Sequence, residues 1–244
     1  MNRTEITYRF ERLRAVASGI LETAFTTFLL LIAVQWFDFG ATAKATIAAA
    51  GALGFMLGPV VVSRVSELGW TTGQAASRLA LGAAGCFALL AAVSDRWFFI
   101  GGIIAATTLA TAVIPLVTQI YQENYPARRR GKYFSRTAMI RIFSAAVFGF
   151  LAGWILTNGE GSGQKLANYP RWLMLIFSGG FVWVAFCFSR LPAQPLTRAK
   201  GTHPFRSLRF VKEDKLFRHI LICWMLFGIG NLMLFPLRVE YLAN

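Results

Sequence analysis

Seven long apolar stretches alternate with polar segments along the chain. Each stretch is close to the ~20 residues that a helix needs to cross about 30 Å of hydrocarbon, and none alternates in polarity as a transmembrane strand would. The pattern therefore predicts seven transmembrane helices: Ala15–Phe37, Thr42–Val65, Ser77–Ser94, Trp97–Tyr121, Phe134–Thr157, Trp172–Ser189 and Ile220–Leu237.

Basic residues are distributed unevenly among the segments between these stretches. The segment before the first stretch holds four arginines, and the fourth and sixth loops are rich in Lys and Arg, whereas the first, third and fifth loops hold few. Cytoplasmic loops preferentially retain Lys and Arg, so the pattern predicts a cytoplasmic N-terminus. These loops, facing lipid headgroups, account for the net charge of +14 without a nucleic-acid partner.

Composition supports the same class of protein. Apolar residues make up 56 % of the 244 residues and charged residues only 15 %, against about 25 % in soluble domains. We therefore expect a multi-pass integral protein of a plasma (inner) membrane, in contact with membrane lipids.

Residues suited to enzyme chemistry are few. The two histidines, His203 and His219, lie outside the predicted spans, the three cysteines have no close partner in sequence, and no nucleophile or metal-site motif is present. We expect no enzyme activity, no metal site and no cofactor.

Glycine and proline interrupt several predicted spans. Gly51, Gly54 and Gly58 recur along the second span, and Gly149 with Gly153 forms a G-x-x-x-G motif in the fifth, a spacing that lets helix backbones approach closely. Pro59 and Pro115 lie in the second and fourth spans. Such positions indicate either plain helix packing or helices that move or line a cavity.

The segment after the fourth span carries a family motif. Glu123-Asn-Tyr-Pro126-Ala-Arg-Arg-Arg130-Gly131 resembles the E-x-x-P-x-x-x-R-G element that follows the fourth span in the major facilitator superfamily. The second loop keeps Arg64 of that family's other signature but has Ser63 where the family has aspartate. The 28-residue basic loop after six spans is similar to the cytoplasmic linker between that family's two six-helix halves.

The resemblance implies an all-α polytopic fold made of a six-transmembrane-helix bundle (1–190), a basic cytoplasmic linker (191–217) and the first helix of a second, truncated bundle (218–244). It implies a secondary active transporter that moves a small solute by alternating access, with protons as a candidate coupling ion. The missing half of the same chain would then be its partner. A gating role would fall to Glu123, Pro126, Arg130, Gly131 and Arg64. The alternative is a non-enzymatic channel or scaffold.

Two charges lie inside predicted spans, Glu22 in the first and Arg141 in the fifth. Each lies seven residues past the predicted start of its helix, so both are about 10 Å deep. In the resembled fold these helices share a bundle, which makes a Glu22–Arg141 pair a candidate for transport or coupling. A static pair, or Arg141 reaching the headgroups, is the alternative. Weaker candidates for a polar lining are Thr26, Gln119 and Asn231.

Overall fold

The fold is helical throughout the residues that the structure, a computed structural model, describes. These are residues 2–93, 95–159, 163–195 and 209–243, with side chains not described at 159, 163–167, 209–210, 231–233, 235–240 and 242–243. Apart from an isolated bridge between Thr71 and Pro195, no β pairing occurs in this part of the chain. Six helical spans in this part of the chain are long and apolar enough to cross a membrane, as expected for a multi-pass membrane protein.

The six spans are built from eight helices and one π-helical segment. The first span comprises α1 (Arg3–Thr23), a π-helix (Ala24–Phe28) and α2 (Leu29–Gln35), and the second is α3 (Ala41–Glu67). The third is α4 (Thr72–Ala92), and the fourth comprises α5 (Arg96–Ala112) and α6 (Ile114–Asn124). The fifth is α7 (Ala127–Gly159) and the sixth is α8 (Gly163–Ser189), followed by α9 (Arg209–Glu213) and α10 (Lys215–Ala243).

Capping residues mark the connections at both ends of the third span. Gly69 ends the second span with a φ of +64°, a left-handed conformation that glycine adopts without strain. Thr71 then caps α4 in a reciprocal capping box with Gln74. On the other side of the bundle, the Asp95 carboxylate caps α5 by accepting a hydrogen bond of 2.7 Å from the Phe98 amide.

Several helices extend beyond the apolar stretches that predicted them. The first span begins at Arg3 rather than Ala15, and the fifth at Ala127 rather than Phe134. The arginines assigned to an N-terminal tail therefore lie on α1. The hydropathy pattern does not predict these additional helical turns, because their charged residues lower the local hydropathy. In the folded protein the same side chains bind polar partners or water at the helix surface.

The bundle has two ends, which we call proximal and distal. The proximal end holds the start of the first span, where the Thr4 hydroxyl donates a 2.8 Å hydrogen bond to the Asn124 carbonyl, and Asn124 in turn donates to Pro192. The distal end holds the contact of Trp36 with Tyr169, whose rings stack at 5.9 Å. Hydrogen bonds thus join the sixth span's exit to the first and fourth spans at one end.

Packing among the spans follows a regular scheme. The first span packs chiefly against the fifth, the second against the fourth, and the third against the sixth, with further contacts between first and sixth and between third and fourth. If the first, second and third spans are exchanged with the fourth, fifth and sixth respectively, each of these pairings becomes another pairing of the same set or stays as it is.

Glycines explain the closest of these contacts. A Cβ on Gly54 would clash with Thr108 and Thr111 of the fourth span, and one on Gly58 would lie 3.1 Å from Pro115, as the second-span spacing led us to expect. The prediction for Gly149 and Gly153 is wrong, because nothing lies within 4 Å of a Cβ at either position. Their helix is the most exposed of the six described spans.

Candidate functional site

A cavity of about 680 Å³ lies in the proximal half of the bundle. Residues of the first, fourth, fifth and sixth spans form most of its wall, and Ala80 of the third span completes it. Most of the lining is apolar. The polar side chains in the lining are Arg14, Ser18, Glu22, Thr111, Thr118, Tyr121, Thr137 and Arg141.

Glu22 and Arg141 meet in the wall of this cavity. Arg141 Nε lies 3.1 Å from Glu22 Oε2, and the side chains are 43 % and 44 % exposed respectively. These two facing atoms are shielded from solvent, yet neither makes a hydrogen bond. The contact is therefore an ion pair without the aligned hydrogen bonds of a bidentate arginine–carboxylate pair.

Gly19 brings the first and fifth spans close enough for this pair to form. A Cβ on Gly19 would clash with the Arg141 carbonyl and lie 2.9 Å from both Ala145 N and Ser144 Cβ. The Ser144 hydroxyl donates a hydrogen bond of 2.8 Å to the Val16 carbonyl one turn away. Backbone contact between the two helices thus sets the position of Arg141 opposite the first span.

Two helix interruptions adjoin the cavity. Phe25 lies in the π-helical segment of the first span, and Val113 and Ile114 lie at the break between α5 and α6 in the fourth; all three line the cavity. The first interruption is followed by seven residues of helix, about two turns, and the second by eleven residues, about three turns. Irregular turns of this kind are frequent at functional sites because they free backbone groups and allow bending.

A second charged cluster closes the proximal end of the cavity. Arg14 donates to both carboxylate oxygens of Glu11, at 3.0 and 2.8 Å, and also to Ser18 and Tyr121. The Tyr121 hydroxyl donates to Glu11 at 2.5 Å, and the guanidinium carbon lies 5.1 Å from the centre of the Phe188 ring. Glu11 is only 1 % exposed. The cluster ties the first, fourth and sixth spans together.

The sequence pattern does not reveal this cluster. Both Glu11 and Arg14 fell before the predicted start of the first span, in a segment interpreted as a tail. Their spacing of three residues places them on one helix face, which is the signal that a longer predicted helix would have exposed. Nothing in the sequence connects them to Tyr121, which is 107 residues further on from Arg14.

A stack of tyrosines continues from the cluster toward the proximal surface. The Tyr121 ring stacks on Tyr125 at 5.5 Å, Tyr125 stacks on Tyr133 at 5.0 Å, and Tyr133 contacts Tyr8 at 4.9 Å. Burial, with the nearby charge of Glu11 as a lesser cause, raises the pKa of Tyr125 well above its ordinary value, so its hydroxyl stays protonated. The stack joins the first, fourth and fifth spans by apolar and ring contacts.

The weaker polar candidates lie elsewhere. The Thr26 hydroxyl donates to the Glu22 carbonyl of its own helix at 2.8 Å, and Gln119 donates to Glu123 at 2.9 Å. Neither is part of the cavity wall described above. The side chain of Asn231 lies outside the described residues.

The motif residues lie at the proximal surface. Arg130 turns back and donates to the carbonyls of Gln122 and Tyr125, where it offsets the negative end of α6. Pro126 precedes the first residue of α7, and Gly131 is exposed within it. Arg64 pairs with Glu67 of its own helix at 3.1 Å. In the described part of the chain, the bonds of these residues are thus local.

Neither a metal site nor a related protein helps to assign a function to this cavity. The described residues include no group of three or more His, Cys, Asp or Glu side chains arranged to hold a metal ion. No family profile, characterised protein or solved structure matches the chain.

Proposed function

We propose that the chain is part of a secondary active transporter, which moves a small solute across a membrane by alternating access. The observation that carries the proposal is the cavity with its loosely held Glu22–Arg141 pair, beside interruptions in two spans. In transporters built from repeats, solute sites lie where broken helices meet, because freed backbone groups and inward charges can bind a ligand there.

The packing scheme supports this proposal. The spans pair so that the first three and the last three are interchangeable. Successive spans of the chain cross the bundle in opposite directions, so the first and fourth spans, which begin the two units, run antiparallel. The two three-helix units are therefore candidates for an inverted repeat, as in each half of a major facilitator transporter. The interruptions in the first and fourth spans then occupy comparable positions of the two units, about two and about three turns before the end of the span.

The remaining topology is part of the same proposal. The N-terminus and the proximal end face the cytoplasm, where the basic motif loop and linker contact anionic headgroups. The 29-residue helix Lys215–Ala243 is a seventh span and begins a second bundle. It contacts the preceding helix α9 and, among the six spans, chiefly the first and second. A second six-helix half would complete the carrier in a plasma (inner) membrane.

Within this scheme, the two charged clusters have different roles. The Glu11–Arg14–Tyr121 cluster is fully hydrogen-bonded and holds three helices together. The Glu22–Arg141 pair is the exchangeable element, since a solute or a proton can take the place of either partner without breaking an aligned hydrogen bond. Opening this pair on solute binding would couple occupancy to the rocking of the bundle, and proton coupling would act through Glu22.

The test is counterflow in proteoliposomes that contain the purified full-length protein. With radiolabelled amino acids, carboxylates, amines and sugars as probes, at least one should show saturable uptake that internal unlabelled solute accelerates. The variants Glu22→Gln and Arg141→Ala should insert and remain folded but lose most of that uptake. Flux that rises linearly with concentration would indicate a channel, and undiminished uptake in both variants would contradict the assigned site.

A further inference from the structure

Two acid–arginine pairs lie at or beside the cavity, and their hydrogen bonding differs. In the Glu11–Arg14 pair, both carboxylate oxygens and all three guanidinium nitrogens are hydrogen-bonded, and the side chains are 1 % and 18 % exposed. In the Glu22–Arg141 pair the contact atoms make no hydrogen bond, and each side chain is more than two-fifths exposed. The second pair therefore has more donors and acceptors left to offer a ligand.

The neighbouring hydroxyl groups favour a hydrogen-bond donor on the ligand. Thr111, Thr118 and Thr137 all line the cavity, and each hydroxyl has a backbone carbonyl to which it donates its single proton. For Thr118 and Thr137 that carbonyl is on the same helix, whereas Thr111 also lies 3.1 Å from the Gly51 carbonyl of the second span. What each can still offer is a lone pair. Together with the Glu22 carboxylate, these oxygens suit a donor-rich group such as an ammonium, while the Arg141 guanidinium suits an anion.

Aromatic side chains form a large part of the remaining wall. Phe25, Phe134 and Phe181 contribute rings from three different spans. Such rings favour an apolar body, and their faces also attract a cationic nitrogen. The cavity volume of about 680 Å³ is within the range of small-molecule sites.

The opposite charges of Glu22 and Arg141 then distinguish between cationic, anionic and zwitterionic ligands. A ligand with only a positive charge would engage Glu22 but leave Arg141 without a partner, and a ligand with only a negative charge would do the reverse. An unpaired charge in a mostly apolar site is unfavourable. A ligand that carries both charges can separate the pair and satisfy both partners.

We infer that the solute is a small amphipathic zwitterion. Its cationic nitrogen binds Glu22, its anionic group binds Arg141, and its apolar body contacts the phenylalanines. This inference rests on the proposed function, since it names the substrate class of the same site.

The experiment uses two sets of ligands, and the members of each set share a hydrocarbon side chain but differ in their charged groups. The aromatic set is phenylalanine, 2-phenylethylamine and 3-phenylpropionate, and the aliphatic set is leucine, 3-methylbutylamine and 4-methylpentanoate. Dissociation constants are measured by calorimetry on the purified full-length protein. In at least one set the zwitterion should bind roughly tenfold or more tightly than both singly charged analogues, a difference small enough to allow for the partial exposure of the pair. Equal or weaker binding by both zwitterions, or no binding by either, would overturn the inference.

Substitution of one partner should change the preferred charge. With Glu22→Gln, the carboxylate of the set should become the tightest ligand, and with Arg141→Gln, the amine should. Glu67→Gln is the matched control, because Glu67 also pairs with an arginine but does so on the exposed surface away from the cavity. It should keep the wild-type order. The same order in all three variants would also overturn the inference.

The outcomes separate this inference from the proposed function. Saturable counterflow of a singly charged or neutral solute, with no zwitterion transported, would support the proposed carrier function and overturn the proposed substrate class. Zwitterion binding in the predicted order, with no saturable transport of that ligand, would support the class of ligand and contradict the carrier function.

Discussion

Glu11 and Glu22 lie on the same span, about 16 Å apart along the helix axis, yet their surroundings differ. Glu11 is enclosed and accepts hydrogen bonds from Arg14 and Tyr121. Glu22 faces the cavity and has only an ion-pair contact with Arg141 in the described part of the chain. A carboxylate whose hydrogen bonds are all made, such as Glu11, stabilises one arrangement of the helices. A carboxylate that can still accept hydrogen bonds, such as Glu22, can bind a ligand.

Replacing Glu11 by Gln should destabilise the protein strongly. The change removes the charge opposite Arg14, which is itself largely buried, and breaking a buried pair in this way costs about 3–5 kcal/mol. The melting temperature in detergent micelles should fall clearly. Glu67→Gln supplies the comparison, since it alters an exposed pair of the same three-residue spacing, worth about 0–1 kcal/mol. Equal melting temperatures for the two variants would show that the buried cluster contributes no special stability.

At the scale of single residues, the sequence could predict only what the position of a residue along the chain and the hydropathy of its neighbours reveal. Two charges inside apolar stretches, at matched depth, were enough to single out Glu22 and Arg141, which the structure places in contact. The Glu11–Arg14–Tyr121 cluster was missed because polar residues near a span end read as a tail. Their burial depends on the fourth and sixth spans, and that packing leaves no mark in local hydropathy.

At the scale of helices, small residues determine which spans approach closely. Gly19 permits backbone contact between the first and fifth spans, and Gly54 does the same between the second and fourth. The G-x-x-x-G motif of the fifth span has no such contact in the structure, because a spacing motif shows that close packing is possible but does not identify a partner. Likewise, Pro115 marked the fourth-span interruption in the sequence, whereas no proline or glycine marks the π-helical segment.

The variant Gly19→Ala should weaken the contact between the first and fifth spans. Its Cβ would meet the Arg141 backbone, and overpacking of this kind costs about 1–3 kcal/mol. Because Arg141 itself must shift, uptake should fall together with the melting temperature. Gly153→Ala is the control, since open space surrounds that position and alanine favours a helix by up to about 1 kcal/mol. Loss of stability in Gly153→Ala alone would contradict the described packing.

For the whole molecule, the pairing scheme places the second and fifth spans at the edges of the bundle, each against one main partner. The fifth span exposes large apolar side chains along its length, among them Phe143, Phe150 and Trp154. Seven apolar stretches and the basic loops made the multi-pass class predictable from sequence. The pairing of distant spans was not, since it arises from contacts between helices far apart in the chain.

Orientation in the membrane can be tested with single cysteines in a background where Cys86, Cys187 and Cys223 are replaced by serine. A cysteine at Gly131, exposed at the proximal end, should react with an impermeant thiol reagent from the cytoplasmic side. A cysteine at Asp38, exposed at the distal end, should react from outside. Intact cells and inverted vesicles provide the two directions of access. The reverse pattern would contradict a cytoplasmic proximal end.

Alternating access is the central claim, and Ala138 offers its most direct measurement, because it lines the cavity on the fifth span. In the same serine background and in the full-length protein, Ala138→Cys is exposed to an impermeant thiol reagent in right-side-out and in inverted vesicles. A carrier should show reaction from both sides, slowed by transported solute. Reaction from one side only, with and without solute, would contradict alternating access.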